Sequence, residues 1–358
     1  MPYGPRRPHR LSDIASQSGL SLATVDRVLH ARRGVSPQAV RAVERALADL
    51  DRQHSQLSLG ARAHVLDLVM VAPTRFSTAV REAVEAELPG LRPANVRVRF
   101  HLKESATAAE VATTLATLAR RGSQGVLLKA PDEPSIAHAV HALDRAGIPT
   151  VTLVTDVTGS DRVAYVGADN VSAGRTAAYV LVQGLSGVPG AVLATVSRST
   201  MSGEQERLTA FVELLHRLDP AREVILLSDS DGLDAGTRAQ VRDLLSTRRD
   251  VSGVYSISGG NAGLLAEFAA AAVRPVIYLA HDLDADNLPL LISGQLSAVL
   301  HHDLRADLRS AVQQVLRHHR LIAGAPTSIR SVPQVVTPHN IPHRLVPDEP
   351  ATVGRRGA

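Results

Sequence analysis

The chain has 358 residues, enough for two or three domains, and its 44% hydrophobic content suffices for packed cores of Ala, Val, Leu and Ile. It contains no Cys, which excludes disulfides, thiolate metal sites and a Cys nucleophile. The net charge of +4 is uneven: residues 1–63 carry ten Arg against five acidic residues, and the rest carry 29 Lys+Arg against 30 Asp+Glu.

A basic head on a nearly neutral body points to a polyanionic partner for the head, nucleic acid first. The first ten residues are rich in Pro and Arg and no apolar leader core follows them. No window approaches the ~18–20 apolar residues of a membrane span. The sequence therefore predicts a soluble, cytoplasmic chain without a membrane partner.

Residues 1–50 read as three helices. Ser12 is placed to cap a first helix over Asp13 to Ser18, with Ile14 and Ala15 facing inward. Gly19 breaks it, Leu20 is a buried turn residue, and Ser21 caps a second helix from Leu22 to His30. Its core face is Val25, Val28 and Leu29. Ser36-Pro37, a cap followed by Pro at the first helical position, opens a third helix striped by Val40, Val43, Leu47 and Leu50. Two short helices joined by a Gly turn, the second exposing its N-terminal residues, form the arrangement that enters a DNA major groove.

The segments Leu11-Ser12-Asp13-Ile14-Ala15, Ser18-Gly19-Leu20-Ser21, Thr24-Val25-Asp26-Arg27-Val28-Leu29 and Val35-Ser36-Pro37 resemble the DNA-binding head of the lactose-repressor family in residue type and spacing. The resemblance implies that Ser21, Leu22, Ala23, Thr24, Asp26 and Arg27 form the DNA-facing surface. Leu22 and Ala23 occupy base-reading positions, Thr24 a phosphate-contacting one, and Arg27 a base or phosphate contact one turn later. By side-chain chemistry Arg27 suits direct readout, because a guanidinium grips guanine O6 and N7 together; Leu22 and Ala23 offer apolar contact to a thymine methyl. The bland alternative for Arg27 is a solvated helix face. Asp26 stands where the family more usually has Ser. Phosphate repels a carboxylate, so Asp26 either accepts from cytosine N4 or, the favoured reading, holds Arg27 in place.

Residues 51–63 form a polar connector. In the family this stretch carries a short helix that wedges a Leu pair into the minor groove, and its Pro, Asn and wedge Leu are missing here. Either Leu57 or Leu59 takes the wedge role with Arg62 reaching a phosphate, or the segment is an ordinary linker.

From Val65 onward short apolar runs alternate with amphipathic stretches. The runs are Val65–Val71, Val96–Phe100, Gly125–Leu128, Thr150–Val154, Ala191–Val196, Val224–Leu227, Gly253–Ile257 and Val276–Ala280. Between them lie helical patterns such as Ala108–Arg121, Ile136–Ala146, Ala173–Leu185, Glu204–Leu218, Ala235–Thr247, Asn261–Ala272 and Arg305–His319. Continuous apolar strands alternating with helices indicate parallel sheets covered on both faces, and their number exceeds one comfortable sheet.

This pattern resembles the effector module of the same family and, through it, the periplasmic sugar-binding proteins, which hold a ligand outside the carboxyl ends of their strands. Polar residues just after apolar runs are then the ligand candidates. They are Thr74, Arg75 and Phe76, Asp132, Asn261 and Asp282. The resemblance adds Arg207 within Ser202-Gly203-Glu204-Gln205-Glu206-Arg207, the match to an Arg that grips ligand hydroxyls, and His302 within Leu300-His301-His302-Asp303, where the family often has Gln or Asn. A Phe ring suits the apolar face of a sugar, and Asp and Arg each pair with adjacent hydroxyls. Asp156 and Asp169 read equally well as loop caps, and His301-His302 as a satisfied pair. No third ligand stands at metal spacing to that pair, and no nucleotide-binding loop or Gly-x-Ser-x-Gly elbow is present, so no metal, cofactor or catalysis is expected.

The expected architecture is an N-terminal all-α helix-turn-helix head (1–50), a hinge (51–63), an α/β two-lobed periplasmic-binding-protein-like body with doubly wound parallel sheets (64–346) and a disordered tail (347–358). The lobes are expected to be discontinuous, 64–162 with 299–323 and 163–298 with 324–346. The expected function is a transcription regulator, a repressor in the first reading, that binds double-stranded operator DNA as a homodimer under control of a sugar or polyol effector. The alternatives are a transporter's solute-binding protein and a sugar-modifying enzyme.

Overall fold

The structure, a computed structural model, describes residues 9–345 except 33, 62, 92 and 93, with the backbone alone at 52–61 and at 344. The chain divides into a small unit, residues 1–64 with 90–97, and a large one, 65–89 with 98–358. The expected tail, 347–358, falls outside the described residues. Among those described, no helix is long and apolar enough to cross a membrane.

The small unit holds α1 (Leu11–Ser18), α2 (Leu22–Leu29) and α3 (Pro37–Ala61). α1 begins at Leu11 with Arg10 at its cap and no side-chain cap bond, so Ser12 lies inside the helix and not at its N-cap. Gly19 closes α1 at φ 69°, in the left-handed region that glycine enters without a steric cost. Ser21 caps α2 by accepting the Thr24 N–H at 3.2 Å, and Ser36 does the same for Ala39 at the start of α3. Ile14, Ala15, Val25, Val43 and Ala46 form the core, with Val28, Leu29, Leu47 and Leu50 packed against it. α3 continues to Ala61, through the stretch read as a connector; the side chains of Leu57 and Leu59 lie outside the described residues.

From Ala63 onward strands and helices alternate: β1 (Ala63–Val71), α4 (Thr74–Glu87), β2 (Asn95–Lys103), α5 (Ala108–Arg121), β3 (Val126–Lys129), α6 (Pro134–Arg145), β4 (Thr150–Leu153) and β5 (Ala164–Ala168). Then come α7 (Asn170–Gly184), β6 (Ala191–Thr195), α8 (Ser202–Leu218), β7 (Val224–Leu227), α9 (Asp234–Thr247), β8 (Val251–Ser256), α10 (Asn261–Ala270), β9 (Ile277–His281), α11 (Asn287–Ile292) and β10 (Ala298–His301). The chain closes with α12 (Leu304–His318), β11 (Ile329–Ser331) and β12 (Gln334–Val336). The strands form two six-stranded sheets, ordered β11-β5-β4-β3-β1-β2 and β12-β10-β9-β8-β6-β7. Pairing is parallel along β1, β3, β4, β5 and β11, and along β7, β6, β8, β9 and β10; β12 runs antiparallel to β10. The central strands are buried on both faces, which is why they read as unbroken apolar runs.

Each sheet is the centre of one lobe, and the chain passes between lobes after β5, after β10 and after β11. These crossings correct the expected lobe limits. Ala164–Ala168 is itself a strand of the first sheet, paired with β4, so the first crossing comes at Asp169 rather than 162–163. Ala298–His301 pairs with β9 and stays in the second lobe, and Ile329–Ser331 returns to pair with β5. Both later crossings therefore fall beyond 298–299 and 323–324. α7 and α8 sit unusually close: a Cβ on Gly174 would overlap the Arg207 carbonyl oxygen and lie 3.0 Å from the Phe211 nitrogen.

Candidate functional site

The carboxyl ends of both sheets open on one cleft. Val71 and Ala72, Lys129, and Val154-Thr155 line it from the first lobe; Ser197-Arg198, Ile257-Ser258 and His281-Asp282 line it from the second. α4 adds Arg75 and Phe76, and α8 adds Met201, Glu204 and Arg207. The cleft holds about 740 Å³ of atom-free space, its open mouth included. Two of its residues hold backbones that L side chains rarely adopt, Val154 at φ 65° and Asp282 at φ 63°. Such strain persists where neighbours over-determine the geometry. The Val154 carbonyl accepts the Tyr165 hydroxyl, and the Asp282 carbonyl accepts Asn287 Nδ2 at 2.9 Å.

Arg75 spans the mouth. Its Nε donates to Asp284 Oδ2 at 2.8 Å, Nη1 to the Gly232 carbonyl and Nη2 to the Ser258 carbonyl, both at 3.1 Å. A Cβ on Gly259 would overlap Nη2, so the guanidinium occupies a slot that glycine leaves open. Burial pushes the Asp284 carboxyl up to about 6 against the pull of the Arg75 charge. Arg198 reaches back across the cleft, donating to the Ala106 carbonyl at 2.9 Å and the Ser105 hydroxyl at 2.7 Å while pairing with Asp231.

Deeper in, Arg207 is 3% exposed and donates through Nε to Asn170 Oδ1 at 2.8 Å. Lys129 is buried, its ammonium donating to the Val71 carbonyl at 3.1 Å. Burial lowers the Lys129 pKa, with Arg207 adding to that and Glu204 and Asp282 opposing it. Burial alone would raise Asp282, but the His302 hydrogen bond and the His302 and Arg207 charges hold it below the usual carboxylate range. His302 sits behind Asp282, 3.4 Å from it and 2.6 Å from Asp307. Burial opposes its protonation; the two carboxylates overcome that and raise it to about 9. The Ser331 hydroxyl lies 3.0 Å from Asp307 Oδ2 and 3.1 Å from the Gly167 carbonyl, two acceptors that share its one proton, so the residues behind the cleft join all three crossings.

Of the residues chosen from sequence, Phe76, Arg207 and Asp282 line this cleft together. His302 supports Asp282 from behind and is not itself a lining residue. Thr74 is elsewhere: it begins α4, and its N–H and hydroxyl turn to Glu104. Asp132 is engaged by the Thr158 N–H and hydroxyl on another surface. Asn261 is locked beneath the floor, donating to Asn287 and accepting the Tyr278 hydroxyl. Asp169 caps α7, and Asp156 pairs with Arg162. Arg75, named beside Thr74 and Phe76, lines the cleft as well. Lys129, Arg198, Glu204 and Asp284 were not chosen, although Lys129 ends β3 and so obeys the rule that picked Asp132.

On α2, Ser21, Leu22, Ala23 and Arg27 are exposed and Thr24 and Asp26 half-buried, opposite buried Val25. The expected clasp of Asp26 on Arg27 does not form. Neighbours on a helix diverge by about 100°, and Asp26 instead pairs with His30, one turn on, at 2.9 Å and with Arg32 at 3.1 Å.

A family model described as a periplasmic binding protein domain matches residues 68–320. The chain belongs to that family. No curated protein matches it. Solved structures of the periplasmic binding protein fold do. A glucose-galactose binding protein from Geobacillus stearothermophilus is 19% identical over 78% of this chain and 99% of its own, at a TM-score of 0.70. The Caulobacter myo-inositol binding protein, solved with myo-inositol, is 20% identical over 78% and 94%, TM-score 0.69. A protein from Bacteroides fragilis described as a putative LacI transcriptional regulator is 13% identical over 78% and 97%, TM-score 0.66. At such identities the likeness establishes the two-lobed fold alone.

Proposed function

We propose that the cleft binds a sugar or polyol. The observation that carries this is the meeting, between the carboxyl ends of two parallel sheets, of a buried Arg207, a buried-side Asp282 and the ring of Phe76. Arginine and aspartate supply paired, charge-assisted bonds to neighbouring hydroxyls, and an apolar wall of Phe76, Val154, Met201 and Ile257 suits the C–H faces of a ring. Several solved structures of this fold are named for sugars or inositol, which supports the same reading. Titration calorimetry with a panel of sugars and polyols tests it: one or more should bind, and Arg207→Ala and Asp282→Ala should each weaken binding at least tenfold. Titrations unchanged in both variants would assign the ligand elsewhere.

We further infer that the small unit binds double-stranded DNA, making the chain a ligand-controlled transcription regulator, as a homodimer since one short helix reads few base pairs. Support comes from the basic excess of residues 1–63, the turn at Gly19 that joins α1 to the Ser21-capped α2, and the outward Leu22, Ala23 and Arg27. The family match begins at residue 68 and leaves these helices out. A second reading, a solute-binding protein serving a transporter, is favoured by the neighbours described as transporter binding proteins. Selection from a random duplex library with the purified protein separates them. Enrichment of a two-fold symmetric site supports the regulator; no salt-sensitive duplex binding leaves the transport reading.

A further inference from the structure

We propose that the ligand is a sugar acid, a polyol carrying one carboxylate, seated with that carboxylate on Lys129 and Arg207. This rests on the polyol reading of the cleft and narrows it. Most charge at the cleft is already matched. Arg75 meets Asp284, Arg198 meets Asp231, and Asp282 meets a His302 that Asp307 holds from behind. Glu204 accepts both the N–H and the hydroxyl of Ser197, and Glu104 turns to Thr74 at the exposed mouth. What remains is an excess of donors. Among the described residues the Lys129 ammonium makes one hydrogen bond, to Val71, which leaves two N–H groups unused inside the protein. Arg207 uses Nε and, weakly at 3.5 Å, Nη1; Nη2 has no partner among the described residues. The Ser258 hydroxyl, also on the cleft wall, is buried with none.

The acceptor side is thinner, with one oxygen of Asp282 left open. A hydroxyl that accepts a bond brings a donor needing its own acceptor, whereas a carboxylate only accepts. It also supplies the counter-charge that a buried ammonium with a single carbonyl partner lacks. Glu204, Arg207 and Asp282 all act on the ionisation of Lys129, and Arg207 acts on that of Asp282, so the ligand meets cations and anions in one small space. One negative charge fits on the Lys129–Arg207 side, with hydroxyls reaching Asp282 and Ser258. A doubly charged phosphate would set its second charge against Glu204 and Asp282.

The test is calorimetry on the full chain with D-gluconate, D-glucuronate and D-galacturonate against D-glucose, D-galactose, D-glucitol and D-glucose 6-phosphate. At least one acid is expected to bind about tenfold or more tightly than its neutral counterpart. Lys129→Gln should erase that advantage, so that in this variant the acid binds no more tightly than its neutral counterpart, and Lys129→Arg should keep it. Neutral sugars or the phosphate binding as tightly as the acids, or an acid preference that survives Lys129→Gln, would overturn the proposal while leaving the polyol site intact. Should Lys129→Gln not fold, the wild-type ranking alone decides. Failure of every compound, with Arg207→Ala and Asp282→Ala silent, would instead reject the polyol site itself.

Discussion

Asp282 faces the cleft with one carboxylate oxygen and His302 with the other, so the state of a buried imidazole sets the charge presented to a ligand. The folded His302 value, about 9, lies above its ordinary 6.5. Its contribution to stability is therefore full below pH 6.5 and lost as pH rises through 9. Thermal melts of the wild type should fall across that window, and His302→Gln should flatten this alkaline arm. Equal slopes in both proteins would show that the imidazole is neutral when folded. Asp282 acts in the opposite direction: held below the carboxylate range, it contributes stability that is lost on acidification. At this scale residue type and position after a strand pointed to Phe76 and Asp282, and the family resemblance to Arg207, all three of which line the cleft. Type and position misplaced Thr74, Asp132 and Asn261, because a polar residue at a strand end faces the cleft or the protein according to a neighbour many residues away. Glu104 takes Thr74, Thr158 takes Asp132, and Tyr278 with Asn287 takes Asn261. Lys129 stands at a strand end, but nothing local marks it as buried; only the fold removes it from water.

Between elements, the α7–α8 crossing depends on one missing methyl. With its Cβ position occupied by the Arg207 carbonyl, Gly174→Ala must separate the helices and shift Arg207 with them. Overpacking of this kind costs on the order of 1–3 kcal/mol. A lowered melting point together with weakened ligand binding is expected; a variant as stable as the wild type would mean that the helices separate without cost. On α2 the exposed guanidinium of Arg27, unclaimed by Asp26, is the group expected to read a base. Arg27→Ala should weaken binding to a selected site by about 1–3 kcal/mol and binding to random duplex far less; equal losses would make it a phosphate contact. Helices and buried strands were legible because their apolar residues repeat at 3.6 or run unbroken. β11 and β12 were not: Ile329-Arg330-Ser331 and Gln334-Val335-Val336 are three-residue edge strands without a readable period. α4 was not among the helical patterns named from sequence, and Thr74 and Phe76, placed only as following the first strand, lie in its first turn.

For the molecule as a whole, the two-lobed body was legible from the alternation of strands and helices, but where the lobes exchange chain was not, since pairing partners decide it. Closure is the property most open to manipulation. The Arg75 guanidinium reaches three groups of the opposite lobe through the space above Gly259. Gly259→Ala would expel it and, at φ 113°, would strain the backbone too. Arg75→Ala removes the clasp without that strain. Both should shift the lobes apart, read as a larger radius in solution scattering without ligand, and raise the ligand's dissociation constant several-fold. Scattering curves unchanged in Arg75→Ala would show that other contacts close the cleft.

The threefold exchange of chain between lobes also bears on how the polypeptide acquires its shape during synthesis. The sheet begun first, at Ala63, is finished only by Ile329–Ser331, and its flanking helix Leu304–His318 emerges after nearly all of the other sheet. A nascent chain paused before residue 304 would hold an almost complete second lobe beside a first lobe still bare where that helix belongs. Domains that must wait for distant sequence expose apolar surface in the meantime. A ribosome-bound intermediate of that length is thus the form in which this protein would most need a chaperone.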